Sequence, residues 1–120
     1  MRTIAERVDR GGAVLDLRDP GWWREDAENA IDLGTLDLAR GDKCILGQSC
    51  PLEVLEAGRP LDTGYSAFAR HLSGQKWAFD VDMWAVEHGF QAGASDDVEG
   101  EYEELAAEWA RRIRSRRDAA

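Results

Sequence analysis

Four side chains that can ligate metal, Cys44, Cys50, His71 and His88, are the first candidates for chemistry in this chain. Zinc needs about four such ligands converging tetrahedrally, and compact sites usually space their leading pair by two to four residues. Five residues separate Cys44 from Cys50 and no second close pair follows, so no metal is expected. The cysteines then read as small apolar residues, and His88 as the end of a helix beside Gly89. Asp80 and Asp82, with Glu87 and the acids of 96–101 downstream, are the second candidate. Metal-assisted phosphoryl chemistry holds two or three carboxylates toward one point, usually with a cationic assistant. Here the acids scatter around helix faces, which is the pattern of a solvated surface. Neither cysteine has a histidine nearby in sequence, no serine sits in a Gly-x-Ser-x-Gly turn, and Gly12 and Gly47 lie in no phosphate-cradling loop. The chain therefore reads as a non-enzyme, with no catalytic residue and no cofactor.

Charge is sorted along the C-terminal third. Ten carboxylates and no Lys or Arg lie between Trp77 and Trp109, and five arginines (Arg111, Arg112, Arg114, Arg116, Arg117) follow within seven residues. Residues 1–110 carry a balance of −13, and the whole chain −9. Such a body repels duplex DNA and anionic membranes, leaving only the arginines to attract them. Acids at the start of the last helix and arginines at its end match the helix dipole. Glu108 with Arg112, and Arg114 with Asp118, are further suited to pair at i+4. No apolar run is long enough to span a bilayer, and MRTIAERVDRGG lacks the apolar stretch of a secretory signal. Two cysteines without an export signal predict a reducing cytoplasm.

The elements that must position these groups read as helices. Thr3 and Glu6 form a capping-box pattern, followed by Ile4, Val8, Gly11 and Leu15 on one face. Gly11 and Gly12 each cost that helix about 1 kcal/mol against Ala, so it depends on packing or breaks there. Asp19-Pro20-Gly21 ends it, Trp22-Trp23 open a short second element, and residues 29–42 read as an ordered, apolar-studded connection. Ser49 or Cys50 is suited to cap a helix begun by Pro51 and closed by Gly58. Residues 59–64 read as a flexible connection, and Tyr65–Leu72 as a helix. Over 77–90, Trp77, Val81, Trp84 and His88 make one stripe and Phe79, Met83, Val86 and Phe90 another. A helix apolar on both sides is expected to be central and buried, although Phe79, Val81 and Met83 also alternate like a short strand. Asp96 caps a last helix whose stripe is Tyr102, Leu105, Trp109 and Ile113. The predicted fold is all-α: a single domain over residues 1–120 with four or five helices and irregular connections. Its expected core is Ile4, Val8, Leu15, Leu36, Leu46, Leu55, Phe68, Leu72, Trp84, Phe90, Leu105 and Trp109.

Five tryptophans are many for 120 residues. Adjacent Trp22 and Trp23 cannot both point inward on a helix, and exposed tryptophan is a common anchor for a protein partner. Trp22 and Trp23, with Asp80, Asp82, Glu101, Glu104 and Glu108 on the acidic stretch, are therefore the expected partner-binding residues. The five arginines are the candidate nucleic-acid contacts, although they spread around the helix and lack interleaved aromatics.

Several short runs occur in a distinctive order. They are Pro20-Gly21-Trp22, Ile31-Asp32-Leu33, Leu36-Asp37-Leu38, Cys44-Ile45-Leu46-Gly47-Gln48 and Glu87-His88-Gly89-Phe90, then a Tyr–Leu–Trp–Ile helix ending in arginines. This order resembles a group of short uncharacterised proteins encoded by actinobacteria and their bacteriophages. Members commonly carry a second Cys two or three residues before the Cys-(Ile/Val)-Leu-Gly-Gln run, where this chain has Gly41 and Asp42, which weakens a cysteine-pair metal site. The resemblance implies a phage or mobile-element setting and brings no chemistry with it. The expected function is a non-enzymatic accessory or inhibitor that binds a host or phage protein with a basic or apolar surface. The alternative is a nucleic-acid-related protein, either an acidic DNA mimic or a DNA contact through the arginine-rich helix. Protein purified without chelator or affinity tag is expected to hold well under one zinc per chain by elemental analysis. A stoichiometric value would reverse the metal reading.

Overall fold

Proline and the capping residues divide this chain into its elements. The computed structural model describes residues 2–120 and has, among them, six helices and no strand. They are α1 (Ile4–Arg18), α2 (Ile45–Ser49), α3 (Leu52–Glu56), α4 (Gly64–Ser73), α5 (Ala78–Glu87) and α6 (Val98–Ala119). The all-α expectation holds, but the number of helices is six rather than four or five. The difference arises at Pro51, which forces Cys50 into an extended conformation and separates two single-turn helices. The sequence reading had only the second of them. Cys44 caps the first, its Sγ accepting the Gly47 N–H at 3.2 Å. Among the described residues no helix is long and apolar enough to cross a membrane.

The predicted capping box of α1 is formed: the Glu6 N–H donates to Thr3 Oγ1 and the Thr3 N–H to Glu6. The helix runs unbroken through Gly11 and Gly12. Its inner face (Val8, Gly11, Leu15) packs on that of α6 (Leu105, Trp109, Ile113), and all six residues are buried. The last helix is capped by Asp97 rather than Asp96, through the Gly100 N–H at 3.0 Å. Trp109 is the hub: its ring stacks on Phe90 at 5.3 Å and meets Trp22 edge-on at 5.9 Å, and its indole N–H donates to the Gly89 carbonyl at 2.7 Å. Beyond Phe90 the stack continues to Trp84 and His88. Of the expected core, Val8, Leu15, Leu46, Phe68, Phe90, Leu105 and Trp109 are buried, and Ile4, Leu36, Leu72 and Trp84 pack around them. Leu55 is exposed because α3 buries none of its residues.

Residues 19–44 form no helix, only successive turns. Ile31 and Leu38 anchor that stretch in the core. The Gln48 side chain ties it to α2 by accepting the Asp32 N–H at 2.6 Å and donating to the carbonyls of Asp32 and Lys43.

The two α1 glycines differ in role. A Cβ on Gly11 would lie far inside contact distance of the His88 carbonyl oxygen and 2.9 Å from Trp109, whereas one on Gly12 would meet nothing within 4 Å. Gly11→Ala is therefore expected to lower the free energy of unfolding by about 1–3 kcal/mol through overpacking. Gly12→Ala should raise it by up to about 1 kcal/mol by removing backbone entropy from the unfolded helix segment. Urea denaturation of both variants measures the contrast.

Candidate functional site

An ion pair in the interior fixes the geometry between α5 and α6. Glu101, in the first turns of α6, receives N–H groups from Gly93, Ala94 and Ser95 and the Ser95 hydroxyl, all at 2.9–3.1 Å. Arg7 of α1 completes its shell at 2.8 Å and donates also to the carbonyls of Val86 and Gln91. Both side chains are only 4% exposed. Burial pushes the Glu101 carboxyl up, but these amides, Arg7 and Ser95 together outweigh it and hold it below the usual 4.5. Gly93 allows the turn that presents the amides, at φ 150°.

This placement corrects the expectation that Glu101 faces a partner. Trp22 is corrected likewise. It is 6% exposed, lies against Trp109, and donates its indole N–H to Asp16 at 2.9 Å. Trp23 is half-buried, with the Arg24 guanidinium 5.0 Å above its ring. Asp82 accepts the Tyr65 hydroxyl at 2.9 Å, and Glu108 is held by Arg111 at 2.6 Å and by Arg112. Asp80 and Glu104 are exposed. The acids of 80–108 thus do not make one continuous free face.

The arginine block is mostly turned to this chain's own acceptors. Arg112 pairs with Asp9 and donates to the Ala5 carbonyl. Arg116 grips both oxygens of Asp16 at 2.7 and 2.9 Å, holding that carboxyl low. Arg117 donates to the carbonyls of Trp23 and Ile31. Only Arg111 and Arg114 are exposed, and the expected Arg114–Asp118 pair is not formed among the described residues.

The metal candidates stay apart. Among the described residues no group of three or more His, Cys, Asp or Glu side chains is placed to hold an ion. Burial pushes the Cys44 thiol up to about 11, so it stays protonated at neutral pH. His71 lies over Phe68 and His88 over Trp84, where burial lowers the His88 pKa.

The least expected feature is the outer side of α5. Val81 and Ala85 are buried, whereas Phe79 and Met83 on the opposite side are 74% and 47% exposed. Trp77, just ahead of the helix, is also 74% exposed. The expectation of a central, buried helix is corrected: α5 lies at the surface with an apolar stripe outward. Phe79, Met83 and Val86 follow i, i+4, i+7 spacing, and Asp80, Asp82 and Glu87 lie to either side of that line. The stripe runs into a groove of about 320 Å³ whose walls include Met83, Val86, Gly93, Ala94, Arg2 and Glu87. The sequence held a signal for it, since Asp80, Asp82 and Glu87 border the second stripe of α5 on both sides. No protein-family model matches the sequence, and comparison with curated proteins and with solved structures found no match.

Glu101→Gln is expected to cost about 3–5 kcal/mol in urea denaturation, because it leaves the Arg7 charge buried without a counter-ion. The pH dependence has a definite sign. Since the folded carboxyl titrates below 4.5, its stabilisation is complete above that pH and is lost as pH falls through the folded value. Asp62, held at about 2 by Arg70, acts the same way at lower pH. The native protein should lose stability below about pH 4.5, and the Glu101→Gln variant should lack the first part of that decline.

Proposed function

We propose that this chain is a non-enzymatic binding protein, an accessory or inhibitor that docks on another protein through the outer side of α5. One observation carries the reading. Trp77, Phe79 and Met83 leave large apolar side chains in water on one short helix and its lead-in. Aromatic residues on an exposed apolar patch are the usual anchors of protein interfaces. Asp80, named from the sequence as a contact, lies beside this stripe. Trp22 and Glu101 leave the proposed contact set, and Trp23 becomes a peripheral residue. The setting suggested by the resemblance, a phage or mobile element acting on a host or phage protein, is kept as part of the proposal.

The non-enzymatic part is supported by the occupations of the reactive groups. Cys44 caps α2 with a protonated thiol, and His88 stacks on Trp84 with Nδ1 2.7 Å from the Trp84 carbonyl. The nucleic-acid alternative draws less support, because Arg112, Arg116 and Arg117 bind acceptors of this chain.

Affinity capture from native host lysate, comparing the native chain with a Phe79→Asp/Met83→Asp variant, tests the site. Both proteins should show the same circular dichroism, since neither residue is buried. A specific partner should be retained at least about tenfold less by the variant. If every specific partner is retained equally, α5 is not the contact. If retention depends on Trp23→Ala instead, the contact lies in the 19–44 segment.

A further inference from the structure

Charges that this chain leaves unpaired stand on the outer side of α6. Glu103 and Glu104 lie in its first half and Arg114 in its second, all exposed and without an ion partner among the described residues. We infer that this side of α6 is a self-association surface, on which a second copy of the chain lays its own α6 antiparallel. Such pairing goes beyond the docking reading above, and no residue of α5 takes part in it.

Glu103, Ala107, Ala110 and Arg114 follow one another at four, three and four residues, the spacing of a coiled-coil seam. The line lies opposite the buried side of α6, which is Glu101, Leu105, Trp109 and Ile113. Only Ala110 on it is partly covered. A shallow open depression runs along Ala107, Ala110, Arg114 and Ser115. With alanine at both central positions, two such helices approach to about 8 Å between axes, the near end of the usual range. Helix α1 packs on the inner side of α6, so the pairing leaves that contact as it is.

Charge sets the orientation. In an antiparallel pair centred between Ala107 and Ala110, each Ala107 faces the second copy's Ala110 and each Glu103 its Arg114. A two-fold axis makes every such contact twice. Beside the seam Glu104 comes level with the second copy's Arg111, a side chain held at 2.6 Å by its own Glu108 but otherwise exposed. A parallel pair would set Glu103 on Glu103 and Arg114 on Arg114, and like charges oppose it. The helix dipole accounts for acids first and bases last. It does not require them to mirror one another about two outward alanines. Like charges come level only beyond the seam, Glu99 with Asp118, where both are exposed. The −9 of the whole chain acts over longer distances, which physiological salt screens beyond about 8 Å. From Glu103 to Arg114 the seam extends roughly 17 Å at 1.5 Å per residue. That is small for a specific interface, so the dimer forms and dissociates with concentration.

Sedimentation velocity on the full chain at physiological salt, from about 10 μM to about 1 mM, tests the pairing. The native chain is expected to pass from monomer toward dimer across that range. Glu103→Arg and Arg114→Glu each set like charges on the seam and should raise the dissociation constant at least about tenfold. The double variant restores opposite charges and should return it to within about threefold of the native value. All three should keep the native circular dichroism, since both side chains are exposed. A chain still monomeric at about 1 mM overturns the inference. A dimer that either single variant leaves intact, or that the double variant fails to restore, overturns it as well. A dimer abolished by Phe79→Asp lies on α5 instead and has the same effect. If the chain stays monomeric while Arg114→Glu releases a captured host protein, that protein is the occupant of this side and the second copy is not. None of these outcomes bears on docking through Phe79 and Met83.

Discussion

Glu101 is the one side chain on which α1, α6 and the turn after α5 all converge. Its carboxylate is reached by α1 through Arg7, by the turn after α5 through three backbone amides, and by α6 on which it sits. Arg7 in turn closes the last turn of α5 through the Val86 carbonyl. Two buried charges are tolerable only when their donors and acceptors are largely met, and here both Glu101 oxygens and the Nε and Nη2 of Arg7 are. The small-residue stretch Gln91–Ser95 has almost no apolar mass to pack. Its conformation follows from where its N–H groups must point.

Around that pair, aromatic packing and arginine bonds divide the work. The stack from His88 through Trp84, Phe90 and Trp109 to Trp22 runs across the middle of the domain. Arg116 ties α6 to Asp16 of α1, and Arg117 reaches the segment without helices, fixing it by two carbonyls. That segment has a few apolar anchors and many turns, so bonds to its backbone replace the periodic side-chain contacts a helix would have made. Net negative charge is thereby reduced locally where the fold needs it, while α5 keeps its acids.

The features read correctly from sequence were those whose partners lie within one or two turns. The Thr3–Glu6 box, the Leu105–Trp109–Ile113 stripe and the stop at Asp19 are all short-range patterns. What was missed is set by distance along the chain. Spacing of four and eight residues to Leu105 and Trp109 puts Glu101, unlike Glu103 or Glu104, on the buried stripe of α6, but its cation lies 94 residues away and no local pattern shows it. Trp22 likewise owes its burial to Trp109 and Asp16, and neither is visible in the Pro-Gly-Trp-Trp run. For α5 both apolar stripes were recognised. Which one faces the core is settled by packing on α1 and α4, and within α5 only the acids bordering the outward stripe mark the choice. The arginines were read as a dipole match because their acceptors, Asp9, Asp16 and two loop carbonyls, lie close to the other end of the chain.

That last separation has a consequence for how the protein is made. Arg7 with Glu101, Asp9 with Arg112 and Asp16 with Arg116 each join residues about 94 to 103 apart. Helix α1 leaves the ribosome well before α6, the helix on whose face it packs. Until then Val8, Leu15 and Trp22 are an apolar side without a lid, on a nascent chain whose next two helices, α2 and α3, are single turns. Closure is a late, long-range step of the kind that slows folding. The interval before it is when chaperones, or other nascent chains, meet this sequence at its stickiest.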